Sequence, residues 1–363
     1  MDQEYTQKLS GIETELERWL PKNKIDTAWL NQVFASMGGR TEKLLFQSLE
    51  ALKTPLDDIL SRGGKRWRPL LMTLVCEMLG GGAAAVPLTP AVEFAHNASL
   101  IHDDIEDGSD ERRGKPAIHK IYGIDTAINS GSFFYFLSSC CIENCAFQNK
   151  EQIFKIWMEY IRRLHLGQAM DINWHSNVLI IPEIEDYLLM CRMKTGSLAR
   201  LAAELGAYAA GAHTGKTIPQ EAIRLLGEAA DMMGIGFQIL DDVKNLTTGI
   251  PGKRKGDDIV EGKKSLPVLL YLNKYPERRE RVFYCFHMAK REGTTAPEVE
   301  ELTENLKATG IFTEAEEIAA ALLNEIEIAV NSDEISNLAG EPWNININEN
   351  SRGLLSGFIE LIS

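Results

Sequence analysis

A chain of 363 residues with 38 lysines and arginines against 52 aspartates and glutamates carries a formal charge of −14, which excludes general attraction to nucleic acid or anionic membrane surfaces. An anionic ligand therefore needs a local basic site or metal ions. The length allows a large core, and long stretches rich in Ala, Leu, Met and Glu, with little period-two alternation, predict an all-α fold of roughly ten helices.

In chain order, the opening MDQEYTQKLSGIETELERWL is interrupted by charge, unlike a secretory signal or transit peptide. Residues 1 to 45 are expected as one or two amphipathic helices packed outside the core, and residues 46 to 290 as the catalytic body. Residues 291 to 363 read as carboxy-terminal helices and a tail, least structured from Ser332 onward, where NININENS occurs. No long polar linker separates these parts, so a single domain over 1 to 363 is expected. No apolar run approaches the ~20 residues of a membrane span. Cys76, Cys140, Cys141, Cys145, Cys191 and Cys285 show neither CxxC nor zinc-type spacing, and read as reduced core residues of a cytoplasmic protein.

GGKRWRP supplies Lys65, Arg66 and Arg68 after a Gly-Gly turn. The next apolar run ends in SLIHDDIEDGSDERRGKP, with six carboxylates within nine positions followed by Arg112 and Arg113. On a helix Asp103 and Asp107 share a face, and Ser99 lies one turn before Asp103. Like charges at that spacing, at the negative end of a helix, each cost roughly a few tenths of a kcal/mol. QILDDVKN, at 238 to 245, repeats the arrangement with Asp241, Asp242 and Asn245.

Either cluster alone reads as a solvated helix end. Two matched clusters, each beside basic residues, ask for a common cation. Mg²⁺ suits them, because it takes hard oxygen ligands, keeps several waters and bridges carboxylates to phosphates. MKTGS adds Lys194 and Thr195, and GKRKGDDIVEGKKSLP adds Lys253, Lys255, Lys263 and Lys264. Arginine forks and lysine point charges bind phosphate oxygens, so the joint pattern points to one diphosphate substrate or two. There is no P-loop, no GxGxxG after a strand and no GxSxG elbow.

Together these residues resemble the trans-isoprenyl diphosphate synthase (polyprenyl synthetase) family. Its first motif, DDxxD, reads DDIED here and is followed by Arg112-Arg113-Gly114; its second reads DDVKN. GGKRWRP, HNAS, KT, FQ and the GDDxxEGKxxLP segment stand in the family's order. HNASLIHDDIEDGSDERRGKP, LHLGQAMDINW and Asn245 look like the geranylgeranyl diphosphate synthases, while EGKKSLP looks more like bacterial long-chain members.

The resemblance implies the isoprenoid synthase fold, antiparallel helices around a deep cavity, usually as a homodimer. It implies head-to-tail condensation of isopentenyl diphosphate with an allylic diphosphate. Asp103 and Asp107 would bind two Mg²⁺ ions, with Asp104 supporting, and Asp241 a third, with Asp242 nearby. Arg112, Lys194, Lys253 and Lys263 would hold the allylic diphosphate. Lys65, Arg68, His96 and Arg113 would hold isopentenyl diphosphate, while Thr195 and Gln238 would help stabilise the cation. Asn245 departs from the general second motif, and the family's frequent basic carboxyl terminus is replaced by GFIELIS.

In this family the growing chain runs beside the first-motif helix towards its amino end. Ser99 and Ala98 are small and would let it pass, where a bulky aromatic would stop it at farnesyl length. Tyr135, Phe136 and His165 resemble the deep stop of eukaryotic geranylgeranyl synthases, which implies a geranylgeranyl product. Without the resemblance, the aromatic run 133 to 136 and His96 read as ordinary core. The competing readings are a longer-chain synthase, a class I terpene cyclase and a non-catalytic subunit of a heteromeric synthase. DDVKNLTTG lacks the Ser and Glu of the cyclase motif, a cyclase has no use for Lys65, Arg68 and His96, and such subunits typically lose acidic motifs.

Overall fold

The computed structural model describes residues 2–22, 26–34, 43–177, 179–249 and 254–362. In these residues twenty α-helical segments are joined by short turns, with one two-residue hairpin pairing Glu111–Arg112 with Lys115–Pro116. The helices outnumber the expected ten because several are split by brief turns, as at Asn324 between Ile311–Leu323 and Glu325–Val330.

The long helices Pro90–Glu106 (the first-motif helix) and Ile124–Glu143 pack along one another. Ser197–Thr214 packs between Trp67–Met78 and Gln220–Leu246, the second-motif helix. Its run of alanines lets these neighbours approach with little loss of side-chain entropy. Two apolar clusters result, and Leu240 of the second-motif helix packs against both.

Both ends of the chain depart from expectation. The first helix, Asp2–Trp19, is not packed outside the core: Ile12 and Leu16 are fully buried in the main cluster. Tyr5, Leu9, Ile12, Leu16 and Trp19 recur every three or four residues, and each large apolar side chain so buried contributes roughly 1.5–3 kcal/mol. The tail is helical at Asp333–Ser336, Glu349–Ser356 and Phe358–Ile362, and Leu355 and Phe358 are fully buried. Asn348 serves as a cap rather than a sign of disorder, since its side chain accepts from the Asn350 and Ser351 amides. The Asn348 amide donates to Met78 O at 2.9 Å, and Ser351 Oγ to Glu77 Oε2 at 2.9 Å. Lys8 Nζ reaches the same Glu77 oxygen at 2.5 Å.

Between Ile184–Cys191 and Ser197–Thr214 the chain makes a π turn at Arg192–Gly196, a widening of the helix that is frequent at functional sites. Two close approaches hold it. A Cβ on Gly167 would lie 2.3 Å from Lys194 N, and one on Gly234 would lie 2.7 Å from Gly196 Cα. Glycine at 167 and 234 thus brings the helices Lys150–Ser176 and Gln220–Leu246 directly against the segment carrying Lys194 and Thr195.

Candidate active site

The ends of the two motif helices open onto one cavity of about 920 Å³. Asp103 and Asp241 line it, with Lys194, Lys263 and Arg112 between them and Leu198, Phe237 and Leu240 as apolar wall.

The first-motif carboxylates are embraced by cations from other elements. Asp103 Oδ1 accepts from Lys194 Nζ at 3.0 Å and Gln168 Nε2 at 3.0 Å, and Arg112 Nη2 lies 3.5 Å from Oδ2. Lys194 also donates to Asp171 at 2.6 Å. Burial alone would lower the Lys194 pKa, but Asp103 and Asp171 hold it above its ordinary value. Asp107 Oδ2 accepts from Lys263 Nζ at 2.9 Å, while Asp107 Oδ1 is buried without a hydrogen-bond partner. Asp104 is fully buried and bonds Arg112 through Nε at 2.8 Å and again through Nη2. It orients the arginine rather than facing the cavity.

On the second motif, Thr195 Oγ1 donates to Gln238 Oε1 at 2.8 Å, and Gln238 Nε2 donates to Asp242 Oδ1 at 3.0 Å. Tyr187 OH donates to Asp242 Oδ2 at 2.7 Å. Burial and the charge of Asp258 push the Asp242 carboxyl up to about 7. Asn245 uses its side-chain oxygen to accept the Asp258 amide at 3.2 Å, which leaves its Nδ2 buried and unpartnered. That oxygen is therefore committed to the backbone of the Asp257–Glu261 helix rather than to a cation.

Among the described residues no three of His, Cys, Asp and Glu converge into a ready metal cage. The donors are hard carboxylate oxygens on two helices, one of them orphaned at Asp107. Such a set fits Mg²⁺, which needs only one or two protein carboxylates when water and phosphate complete its shell.

The opposite wall is basic. Lys65, Arg68, His96 and Arg113 all line the cavity. Arg113 and Gly114 have φ of +54° and +73°, the left-handed pair that a two-residue hairpin turn requires. For arginine this costs of order 1 kcal/mol. It delivers the guanidinium to Gly63 O, Ile59 O (3.3 Å) and Asn97 Oδ1 (3.3 Å). Arg62 Nη1 ties both strands of the hairpin down, donating to Arg112 O at 3.1 Å and Pro116 O at 2.9 Å. Arg66 is not part of the wall: it is buried against Glu13, Glu93 and Leu60 O. Burial pushes Arg68 and Arg113 down to about 10, opposed by the charge of Glu93.

His96 is held well below its ordinary pKa by burial and then by Arg68, Arg113, Arg112 and Arg66. Its folded-state pKa is therefore below the unfolded value near 6.5. As pH falls through 6.5 the unfolded chain binds a proton that the folded chain refuses, so stability is lost on acidification. From pH 7 to pH 5.5 the parent is expected to lose about 1 kcal/mol that His96→Gln retains. Urea unfolding of both proteins at the two pH values measures this, and equal losses would refute it.

At the end of the cavity bounded by Ser99, three rings meet. Tyr135 stacks on His102 (centroids 5.7 Å apart, planes 11°) and takes His165 edge-on at 5.0 Å. All four residues line the cavity. Burial lowers the His165 pKa and raises that of Tyr135.

Thus Asp103, Arg112, Lys194, Thr195, Gln238, Asp241, Asp242, Lys263, Lys65, Arg68, His96, Arg113, Ser99, Tyr135 and His165 are brought to one cavity. Asp104 and Asp107 sit directly behind it, on Arg112 and Lys263. Two expectations fail. Phe136 is 69% exposed on the outer side of its helix, a hundred degrees around from Tyr135. Ala98 is fully buried in the helix-packing core instead of lining the cavity. Lys253 lies outside the described residues. Gln168, Asp171, His102, Arg62 and Tyr187 were not singled out from the sequence. The only signal for the first two was LHLGQAMDINW, read there as family likeness alone.

A family model described as polyprenyl synthetase matches residues 49–306. The chain is 37% identical over 234 residues to a geranylfarnesyl diphosphate synthase of Aeropyrum pernix, covering 62% of this chain and 71% of that protein. It is 31% identical over 288 residues to geranylgeranyl pyrophosphate synthase atmG of Aspergillus flavus, covering 77% and 78%. Among solved structures, geranylgeranyl pyrophosphate synthetase from Pyrococcus horikoshii Ot3 superposes with a TM-score of 0.76 at 25% identity, over 99% of this chain and 96% of that one.

Proposed function

The chain belongs to the polyprenyl synthetase family, and we propose that within it the protein condenses isopentenyl diphosphate with allylic diphosphates to make geranylgeranyl diphosphate. The observation that carries this reading is one cavity with two acidic helix ends, two separate basic groups and an apolar interior closed by rings. Chain-elongating prenyl transfer needs each of those parts.

Arg112, Lys194 and Lys263, with Lys253, hold the allylic diphosphate, and Lys65, Arg68, Arg113 and neutral His96 hold isopentenyl diphosphate. Asp103 and Asp241 would hold Mg²⁺, three ions in this reading, with the unpartnered oxygen of Asp107 directly behind them, and the metal would supply a Lewis acid for the leaving diphosphate. The allylic C–O bond breaks and its electron pair leaves with the diphosphate. The cationic side chains are aimed at that developing charge, which they stabilise more than the ground state. The isopentenyl double bond then attacks the allylic cation, a carbon–carbon bond forms, and loss of a proton regenerates an allylic product. The oxygens of Thr195 and Gln238, fixed by their mutual hydrogen bond, face the cation.

The ring cluster supports geranylgeranyl rather than a longer product. A second copy of the chain is proposed against the adjoining helices Ile118–Tyr122 and Ile124–Glu143, where Ile121 (45% exposed), Ile124 (57%), Ile128 (45%) and Phe136 (69%) are large apolar side chains left open. No helix among the described residues is long and apolar enough to cross a membrane, and six unpaired cysteines suit the reducing cytoplasm proposed for it.

The test is to incubate the purified protein with Mg²⁺, isopentenyl diphosphate and, separately, dimethylallyl, geranyl and farnesyl diphosphate, and to size the products. Geranylgeranyl diphosphate is expected as the principal product. Farnesyl diphosphate, or chains of hexaprenyl length and beyond, would overturn the assignment.

A further inference from the structure

The residue immediately before the first acidic motif has no part in the chemistry described above, yet its ring lines the cavity. His102 Nε2 lies 3.3 Å from Ile128 O and 3.5 Å from Ser132 Oγ, so the imidazole is pinned to the neighbouring helix Ile124–Glu143. That helix makes room for it with a glycine: a Cβ on Gly131 would lie 3.0 Å from His102 Nε2 and 3.1 Å from Cε1. Pinned in this way, the flat face of His102 meets the flat face of Tyr135 at 11°. Tyr135 is thus held by a parallel ring and by the edge of His165.

We propose that His102 is a specificity-determining residue, the third member of a ring clamp that fixes Tyr135 across the path of the growing prenyl chain and ends elongation at geranylgeranyl length. It occupies the position in the stop that the sequence suggested for Phe136, whose side chain lies on the outer surface. Ser99, small and one helical turn before Asp103, lines the cavity beside the clamp and leaves room for the chain to reach Tyr135. A ring stacked flat on Tyr135 restricts the side-chain rotation by which Tyr135 could swing aside. Removing it leaves a gap beside Tyr135 that further isoprene units would fill. Well-packed walls admit extra groups only when the wall itself is cut back.

This inference rests on the elongation reading, and the experiment separates the two. The parent, His102→Ala, His102→Gln and His102→Phe are assayed with farnesyl diphosphate, isopentenyl diphosphate and Mg²⁺, with Tyr135→Ala as reference. Gln can keep the bond to Ile128 O without a ring, whereas Phe keeps the ring without the bond. His102→Ala and His102→Gln are expected to raise the ratio of longer products to geranylgeranyl diphosphate by roughly tenfold or more, as Tyr135→Ala does, while His102→Phe keeps the parent's ratio. If His102→Ala fails to fold, His102→Gln decides. An unchanged or shortened product in the ring-free variants, while the parent makes geranylgeranyl diphosphate, overturns the clamp and leaves the elongation reading intact. A parent that makes no prenyl diphosphate overturns both. Product length, unlike rate, does not respond to a general loss of folded protein.

Discussion

Asp103→Asn is expected to lower kcat at saturating substrates by at least about a thousandfold, or ~4 kcal/mol of transition-state stabilisation, while the thermal midpoint stays within a few degrees of the parent's. The two effects separate because of how the charges are shared. Lys194 keeps its second partner, Asp171, at 2.6 Å when the Asp103 charge is removed, so no buried ammonium is orphaned. The amide oxygen that replaces the carboxylate can still accept from Gln168, which now lies 3.0 Å away. Lost is the negative charge that would draw a cation to the leaving diphosphate. Single-turnover rates and circular dichroism melts on the same preparation check the prediction. A kcat within tenfold of the parent's would remove Asp103 from the metal-binding role.

Asp104→Ala is expected to do the opposite on the stability axis, destabilising the fold by about 3–5 kcal/mol because it leaves the partner of a buried ion pair uncompensated. Asp104 is fully buried and takes both Nε and Nη2 of Arg112. Burial pushes the Asp104 carboxyl upward, and the charge of Arg112 opposes that rise. With the carboxylate gone, Arg112 retains only the longer approach to Asp103 at 3.5 Å, and its fork no longer points into the cavity in one geometry. The KM for the allylic substrate is expected to rise by roughly tenfold or more, and that for isopentenyl diphosphate far less, since the guanidinium of Arg113 is held by Gly63 O and Asn97 instead. Urea unfolding and paired KM measurements test both parts. An unchanged midpoint, or equal rises in the two KM values, would refute the positioning role. Adjacent residues of one motif would thus separate, Asp103 affecting rate and Asp104 stability and substrate placement.

The acidic pairs were legible because their information is local. Carboxylates four apart at the end of an apolar helix are costly wherever the helix goes, and two such ends in one chain, each beside basic residues, announce a ligand. The basic turns were legible for the same reason. Gln168 was not, because its meaning lies in Asp103, 65 positions away, and a polar residue on a long helix otherwise reads as solvated. The aromatic run 133 to 136 shows a further limit. Consecutive positions on a helix point a hundred degrees apart, so one ring of such a run reaches the cavity and the next faces outward. Only the neighbouring helix decides which. His102 was invisible as well, since the glycine that accommodates it, Gly131, lies in a different helix. The burial of the two ends was not legible because an apolar stripe such as Tyr5 to Trp19 marks a face to be covered but not what covers it, and the bonds to Glu77 that tie both ends down span 69 and 274 positions.

Those bonds bear on how the molecule opens. Lys8 and Ser351, near opposite ends of the sequence, bind the same oxygen of Glu77, and the last helix places Ile359 in the cavity wall. Withdrawing either terminal segment removes one partner from a half-buried carboxylate and weakens the anchor of the other. The first helix and the helix Glu349–Ser356 are therefore linked through one carboxylate, so that loosening of either is expected to loosen the other. Because Ile359 follows directly on that linked segment, the carboxylate of Glu77, itself outside the reaction chamber, helps to hold one side of the chamber wall in place.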